Sequence, residues 1–259
     1  DNNFTVSLSE TTDGGMTISS SFMLMNENAA AGDTDAGFTL AFTDGSKLDV
    51  INAGNASGSH AVSIPGSAGA ETVANTSTNM APTGLDAGAT ATVFGVEYHT
   101  AADFLADGLK GSISVSTDSG AAATSTYRVD SHVAIGATYV TDLGDSAVTL
   151  GAGYSASEGA KTGTKVNDDN SNMHVGISAV TGDLTVAVGF SDVSVAGVTD
   201  NGSDEYTGEV VKAGVKYVTG DLTFNVGVAN GTSKDGGIGT PGTTEDSKDV
   251  TSASISYAV

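Results

Sequence analysis

The residues of this sequence that could carry chemistry occur at every second position of short segments. In the stretch TYRVDSHVAIGATYV (126–140), Arg128, Asp130 and His132 alternate with mainly apolar residues. Successive side chains of a β-strand point to opposite faces. The three ionisable groups therefore share one face of a strand, where they form either a screen for ions or a plain polar lining.

The other ionisable residues of the segments that we assign as strands follow the same rule. No Lys or Arg of these strands falls on the apolar face. Lys212 and Lys216 lie four residues apart on one strand face, and two like charges so placed are expected to face water. The residues predicted on the polar face also include Lys47, Asp49, Glu97, His99, Lys110 and His174.

The sequence carries no pattern typical of a catalytic centre, and we predict that the protein is not an enzyme. It has no Cys, so a thiolate nucleophile and a zinc–thiolate site are excluded. The four His residues are scattered, without the spacing of a metalloprotease helix. Closely spaced carboxylates occur in loop runs rather than as an isolated acid and base pair.

Acidic loop runs could bind Ca²⁺ through oxygen ligands, and this is the only cofactor that the sequence suggests. The runs are NDDNSN (167–172), DNGSDE (200–205) and TEDSKD (244–249). The alternative interpretation, which the composition favours, is a loop that is simply solvated and kept soluble by its charge. The candidate calcium ligands are Asp168, Asp169, Asp204 and Glu205.

Charge and hydropathy exclude several classes of partner. The formal net charge is −22 with nine Lys plus Arg, which argues against a nucleic-acid partner and against a polybasic membrane-surface module. The sequence contains no apolar run of about 18 residues, so no transmembrane helix is predicted.

The elements that position these residues are antiparallel hairpins. Short alternating segments are joined by tight turns such as TDGS and TGD, in which Gly supplies a positive φ. We count about 13 strands. Long polar loops are predicted between hairpins, and the longest stretch without a strand pattern is about 54–90. The other predicted long loops are 25–35, 117–125, 156–171, 192–205 and 231–249.

The medium that the apolar face contacts decides the fold. A soluble sandwich hides that face and has no reason to keep Gly136, Gly153 and Gly176 on the opposite, charged face. In a transmembrane barrel, a charge on the lipid side costs about 2–4 kcal/mol at the midplane, whereas the lumen side can be polar. The pattern favours an all-β, transmembrane antiparallel β-barrel.

Three hairpin regions resemble those of alphaproteobacterial general diffusion porins of the Rhodobacter type. NFTVSLSETTDGGMTISSSFML is similar to an early hairpin of that family, and GFTLAFTDGSKLDVINAG to the hairpin that leads into its constriction loop. VFGVEYHTAADFLADGLKGSISVS resembles the hairpin that follows this loop. The resemblance covers most of the chain as a pattern.

This resemblance implies a homotrimer in the bacterial outer membrane, in contact with lipid and lipopolysaccharide, through which small hydrophilic solutes diffuse. It implies that the loop at about 54–90 folds into the lumen, where its carboxylates Glu71 and Asp86 face basic wall residues. Because the net charge is −22, we expect a preference for cations. The expected wall residues are Lys47, Glu97, Lys110, Arg128, Asp130, His132, Lys212 and Lys216.

The strand count departs from the family. The resemblance implies 16 strands in one barrel domain over residues 1–259, and single-chain bacterial barrels close with an even number. We therefore expect that some terminal strands are missing from this chain, or else that strands inside a long loop are not recognised by their pattern. The alternative function is a secreted or surface structural or adhesive β-protein, since such proteins have a similar composition rich in Gly, Asp and Thr.

Overall fold

The structure, a computed structural model, describes most of the chain in eleven ranges. They are residues 4–24, 37–50, 56–66, 95–117, 129–159, 161–162, 165–167, 170–196, 198–199, 205–235 and 244–258.

These residues form one antiparallel sheet of 13 strands with neighbours paired in chain order, which confirms the predicted hairpins. In the described part of the chain, β1 and β16 are the two edges of this sheet. The strands of the sheet are β1 Phe4–Thr11, β2 Thr17–Leu24, β3 Phe38–Ala41, β4 Lys47–Val50, β5 Gly95–His99, β6 Leu109–Thr117, β7 Val129–Leu143, β8 Ser146–Gly159, β11 Asn170–Thr181, β12 Leu184–Ala196, β14 Glu205–Thr219, β15 Leu222–Asp235 and β16 Thr244–Tyr257.

Three short strands form a second, small sheet in the order β13-β10-β9. They lie in the connections at the strand ends far from the tight turns, within segments predicted as loops. Their bounds are β9 Lys161–Thr162, β10 Lys165–Asn167 and β13 Val198–Thr199.

Tight turns join the strands of each hairpin at one end. Gly182 and Gly220 adopt φ values of 56° and 55°, a region that an L side chain rarely enters, so Gly is needed there. In the β3–β4 turn, the Ser46 hydroxyl and backbone N–H both donate to Asp44 Oδ1, at 2.7 and 2.9 Å. These hydrogen bonds hold the pKa of the Asp44 carboxyl below its ordinary value.

The two faces of the sheet have opposite exposure, and the apolar one is open. Ile135 and Val175 are 55% and 52% exposed, whereas Ser114 and Asn172 on the other face are 3% and 2% exposed. We call the first the apolar face and the second, rich in Ser, Thr, Gly and charged residues, the polar face. This is the reverse of a soluble sandwich, and so large an apolar surface requires an apolar surrounding.

Acidic side chains mark the end of the apolar face that lies far from the tight turns. Glu158, Asp192 and Glu209 follow the strand alternation onto this face beyond its last large apolar residues, and Asp192 pairs with Glu209 across β12 and β14. Asn230 donates to Asp249 at 2.6 Å in the same region. The apolar face is therefore a band of limited height with a polar border.

The predicted loops 156–171, 192–205 and 231–249 are partly wrong. β8 continues to Gly159, β12 to Ala196 and β15 to Asp235, and β16 begins at Thr244. Backbone pairing continues past the apolar band, but there both faces of a strand meet water. The side-chain alternation that reveals a strand in the sequence is consequently lost.

No helix in these described ranges is long and apolar enough to cross a membrane.

A charge placed on either face of β11 tests which face contacts lipid. Val175→Lys, at the centre of the apolar face, is expected to lower the free energy of unfolding in lipid vesicles by about 2–4 kcal/mol. Ser178→Lys, on the polar face of the same strand, is the matched control and should change it far less. Equal losses in a urea titration would contradict the assignment of the faces.

Candidate functional site on the polar face

Residues 56–66, between β4 and β5, lie across the polar face of the sheet. They contain one turn of 3₁₀ helix at Gly58–His60. Ala56, Ser57 and His60 are 0%, 0% and 8% exposed. A loop segment with such burial is packed against the wall, and we call residues 56–66 the crossing segment.

Glycines of the wall make this close approach possible. A Cβ added at Gly136 would lie 2.5 Å from the Ala56 carbonyl oxygen, and one at Gly176 would lie 2.8 Å from Val62 Cβ. A Cβ at Gly227 would lie 2.9 Å from the Gly66 carbonyl oxygen. Real Cβ atoms do not approach other atoms so closely, so any larger residue would push the crossing segment away. The glycines under this segment are Gly136, Gly151, Gly153, Gly176, Gly189, Gly214 and Gly227.

The strand register aligns these glycines into a stepped row, which we call the glycine row. Gly136 pairs with Gly153 across β7 and β8, and Gly176 pairs with Gly151 on one side and Gly189 on the other. Gly214 pairs with Gly227 across β14 and β15, whereas Gly189 pairs with Lys212. The row thus steps by two residues within β8 and between β12 and β14, and it gives the crossing segment a shallow track over six strands.

His60 anchors the crossing segment to two strands at once. Its Nδ1 lies 2.7 Å from Thr138 Oγ1 on β7, and its Nε2 lies 2.9 Å from Ser112 Oγ on β6. Both distances are those of good hydrogen bonds, and a hydroxyl can donate or accept, so either tautomer of the neutral ring is satisfied.

Three further hydrogen bonds hold the crossing segment along its length. The Ala56 backbone N–H donates to Ser114 Oγ at 3.1 Å, and His174 Nε2 lies 2.8 Å from the Ser57 carbonyl oxygen. At the other end, the Ser252 hydroxyl donates to the Gly66 carbonyl oxygen. The segment is therefore attached from β6 to β16.

Ionisable groups gather on the polar face of β4 and β5. The Lys47 ammonium lies 3.0 Å from Asp49 Oδ2, and His99 Nε2 lies 3.0 Å from the same oxygen. His99 Nε2 is also 3.5 Å from Glu97 Oε1, and His99 Nδ1 is 2.9 Å from Ser112 Oγ. A chain of polar contacts thus runs from His60 through Ser112 and His99 to Asp49.

The structure brings together only some of the site residues predicted from the sequence. Lys47 and Glu97 meet in the β4–β5 cluster, whereas Lys110 and His132 lie apart on the polar positions of β6 and β7. Asp130 lies in β7 beside an irregularity of the register between Val129 and Ser131. The described residues do not include Glu71, Asp86, Arg128, Asp168, Asp169 and Asp204, nor the side chain of Glu205.

The expectation that Lys212 and Lys216 both face water is wrong for one of them. Lys216 is exposed, but Lys212 is only 6% exposed. Lys212 pairs with Gly189 on β12 and lines a cavity of about 30 Å³ between the wall and the crossing segment, together with Ile64. The crossing segment covers this lysine, which the strand alternation alone could not reveal.

Sequence reasoning missed the roles of His60, Ser112 and the glycine row. The alternation placed Gly136, Gly153 and Gly176 on the polar face and used them to favour a barrel wall, but it did not reveal that a loop segment packs on them. A glycine at that face on each successive strand was the available signal. His60 is one of the four scattered histidines of the sequence, and its partners Ser112 and Thr138 are ordinary strand residues with no distinguishing pattern.

Burial lowers the pKa of the His60 imidazole below its ordinary value of 6.5, and the nearby positive charges of His99, His174 and Lys110 lower it further. His60 lies in the crossing segment, outside the strands. Its neutral form is therefore the one that docks on the wall at neutral pH.

A side chain added to the glycine row should displace the crossing segment. Gly214→Val would place its Cβ well inside van der Waals contact with the Pro65 carbonyl. Overlap of this kind costs about 1–3 kcal/mol, which raises the undocked population roughly 5- to 150-fold. The readout is maleimide labelling of Ser57→Cys, since residue 57 is 0% exposed and the chain has no Cys of its own.

Gly111→Ala is the matched control for Gly214→Val. A Cβ at Gly111 meets its nearest atom at 3.5 Å, an ordinary contact, so residue 57 should stay protected. Slow labelling in both variants would mean that the glycine row is not needed for docking.

Acid should weaken docking through His60. Because the docked pKa is below that of the free imidazole, protonation favours the undocked segment; docking is complete above about pH 6.5 and weakens as pH falls below it. Because maleimide reacts with the thiolate, whose fraction falls with pH, each labelling rate is divided by the rate of the same variant unfolded in urea at the same pH. This ratio should rise for Ser57→Cys between pH 7.5 and 5.5. The same curve in His60→Gln should be flat, and an unchanged pH dependence in that variant would assign the effect to other groups.

Comparisons with known proteins agree with this architecture. The whole chain, residues 1–259, matches the family model described as Gram-negative porin. The structure is similar to a porin of Rhodobacter capsulatus refined at 1.8 Å resolution, with a TM-score of 0.62 and 16% sequence identity. The alignment covers 98% of this chain and 81% of that chain, while no match was found among curated proteins. With a polar face crossed by a loop segment and an exposed apolar face, this chain belongs to the Gram-negative porin family.

Proposed function

We propose that the protein is a homotrimeric diffusion porin with a preference for cations, in which the crossing segment narrows the pore. As a Gram-negative porin it is an outer-membrane channel with a β-barrel fold. The proposal adds the trimer, the contact with lipid and lipopolysaccharide, the passage of small hydrophilic solutes, the cation preference, and the role of residues 56–66.

The observation that carries the proposal is the path of the crossing segment. It follows the glycine row over the polar face and is hydrogen-bonded at both ends, at Ala56 and Gly66. A segment fixed on the lumen side of a barrel wall reduces the free cross-section without closing it. Passage through such a constriction is set by size and charge.

Charge supports the cation preference. The formal net charge of −22 creates a negative potential that raises the local concentration of cations. Lys110 and Lys216, exposed on the polar face, oppose this preference locally. The buried Lys212 contributes less, because the crossing segment separates it from the lumen water.

The family membership favours this function over a structural or adhesive protein. The alphaproteobacterial origin draws support from the similarity to the Rhodobacter porin. The absence of enzymatic activity and the predicted calcium ligands of the long loops stay predictions.

Single-channel recording in a planar bilayer tests the proposal. Detergent-extracted protein is expected to insert with current steps in groups of three, and a salt gradient should give a reversal potential of the sign set by cation flow. Folded protein that gives no conductance would contradict the porin function, and single independent steps would contradict the trimer.

Neutralising exposed lysines of the wall should increase the cation preference. At about 10 Å from a permeating ion in water, one charge contributes about 0.4 kcal/mol, with opposite signs for a cation and an anion, so each removal changes the permeability ratio roughly fourfold. Lys110→Gln with Lys216→Gln should therefore shift the reversal potential toward the cation limit. Lys212→Gln is the matched control with a smaller expected shift; a larger shift from Lys212 would contradict its position behind the crossing segment.

A further inference from the structure

We infer that Asp49, Glu97 and His99 form a binding site for a divalent transition-metal ion, such as Zn²⁺, on the wall beside the crossing segment. The site belongs to β4 and β5, where Asp49 pairs directly with Glu97 and Lys47 pairs with His99. One ligand atom from each of Asp49, Glu97 and His99 lies within 4.8 Å of the other two.

The spacing of the ligand atoms fits a tetrahedral ion. With Zn–N and Zn–O bonds of about 2.0–2.2 Å, neighbouring ligand atoms of a tetrahedral site lie about 3.3 Å apart. His99 Nε2 is 3.0 Å from Asp49 Oδ2 and 3.5 Å from Glu97 Oε1. Three protein ligands leave one position for water, as in an open zinc site.

The surroundings orient the ligands as metal sites require. His99 Nδ1 is held at 2.9 Å by Ser112 Oγ, so Nε2 is the nitrogen that points toward the carboxylates. The Thr39 hydroxyl donates to Asp49 Oδ1 and leaves Oδ2 toward His99. Partners that fix the ring and the carboxylate of metal ligands are a regular feature of such sites.

The burial of Glu97 is an independent sign that a cation belongs here. This residue is only 2% exposed, and its Oε1 lies at 3.5 Å from both Ser59 Oγ and His99 Nε2. Distances of 3.5 Å are long for hydrogen bonds. A buried carboxylate with such weak partners is costly, and a divalent ion at 2.0–2.2 Å would compensate its charge.

Lys47 competes with the metal ion. Its ammonium lies 3.0 Å from Asp49 Oδ2, the oxygen that a metal would use, and its side chain is 45% exposed. The long side chain can move into the lumen water when an ion binds. Removal of this lysine should therefore strengthen metal binding, a change in the opposite direction from the loss of a ligand.

The ligand set selects the class of ion. One imidazole nitrogen with two carboxylates suits Zn²⁺ and its neighbours in the first transition row. Ca²⁺ and Mg²⁺ prefer oxygen ligands throughout, and the imidazole would leave them one ligand short. The site is thus distinct in chemistry from the oxygen-rich acidic runs of the long loops.

A bound ion would act on the pore through its place beside the crossing segment. Ser112, which orients His99, also holds His60 at 2.9 Å. The ion would add positive charge to the wall next to this anchor and reduce the cation current. Only this consequence rests on the proposed porin function.

The test is Zn²⁺ binding to the folded, detergent-solubilised protein at pH 7.5, measured by titration calorimetry with excess Ca²⁺ present to occupy oxygen-only sites. The wild type is expected to bind one Zn²⁺ per chain at this site. His99→Gln should weaken binding by about a hundredfold, and Ser112→Ala by about tenfold. Lys47→Gln should tighten binding roughly fivefold, because it removes the partly exposed ion pair with Asp49 that a metal ion must otherwise displace.

His132→Gln, a histidine of the polar face on β7, is the matched control and should bind Zn²⁺ as the wild type does. Heat-modifiable migration on gels reports that each variant is folded. Binding that survives in His99→Gln, or that Lys47→Gln weakens, would overturn the site.

Current recordings separate this inference from the proposed function. Zn²⁺ should reduce the cation current of the wild type but not that of His99→Gln. Protein that binds Zn²⁺ in detergent but forms no channel would refute the porin function and leave the metal site standing. Protein that forms channels but binds no Zn²⁺ would refute the metal site and leave the porin function standing.

Discussion

The close approach of the crossing segment to the backbone of the wall is the contact on which the rest of the polar face depends. It exists because glycines of neighbouring strands fall in register, so that Gly136, Gly176 and Gly214 leave room where any side chain would collide. A loop backbone laid on a sheet would normally leave polar groups without partners. Here His174 and Ser252 of the wall supply those partners at the carbonyls of Ser57 and Gly66.

One consequence is that many apolar side chains are exposed and many polar groups are buried, the opposite of a soluble protein. Many large apolar side chains are exposed on one face, and the buried residues of the described ranges include Ser, Asn and His side chains, Glu97 and Lys212. In the crossing segment only Ala56 and Ile64 are buried apolar residues, so apolar burial is a small part of what holds it. Its position depends on hydrogen bonds and on steric fit, both of which are sensitive to single substitutions. Through Ser112, which contacts both histidines, His60 also connects the segment to the ionisable cluster of Asp49, Glu97 and His99.

The period of two in the sequence predicted all 13 strands of the main sheet and the face on which Lys47, Lys110, Lys212 and Lys216 lie. It could do so because lipid on one side and water or polar groups on the other impose a simple alternation. Beyond the apolar band both faces are polar, and there the ends of β8, β12 and β15 were mistaken for loops. The burial of Lys212 and the partners of His60 depend on contacts between residues distant in the chain. Periodicity carries no information about such contacts.

Measuring the distance between the crossing segment and the wall tests most directly whether this segment is fixed on the glycine row. Spin labels at Ser63→Cys, an exposed position of the crossing segment, and at Asp183→Cys, in the β11–β12 turn, can be introduced cleanly because the chain has no Cys. Pulsed electron resonance in lipid vesicles should give one narrow distance distribution, as expected for a segment fixed on the glycine row. A broad distribution reaching to long distances would show a segment that is not held on the wall, and would contradict the account.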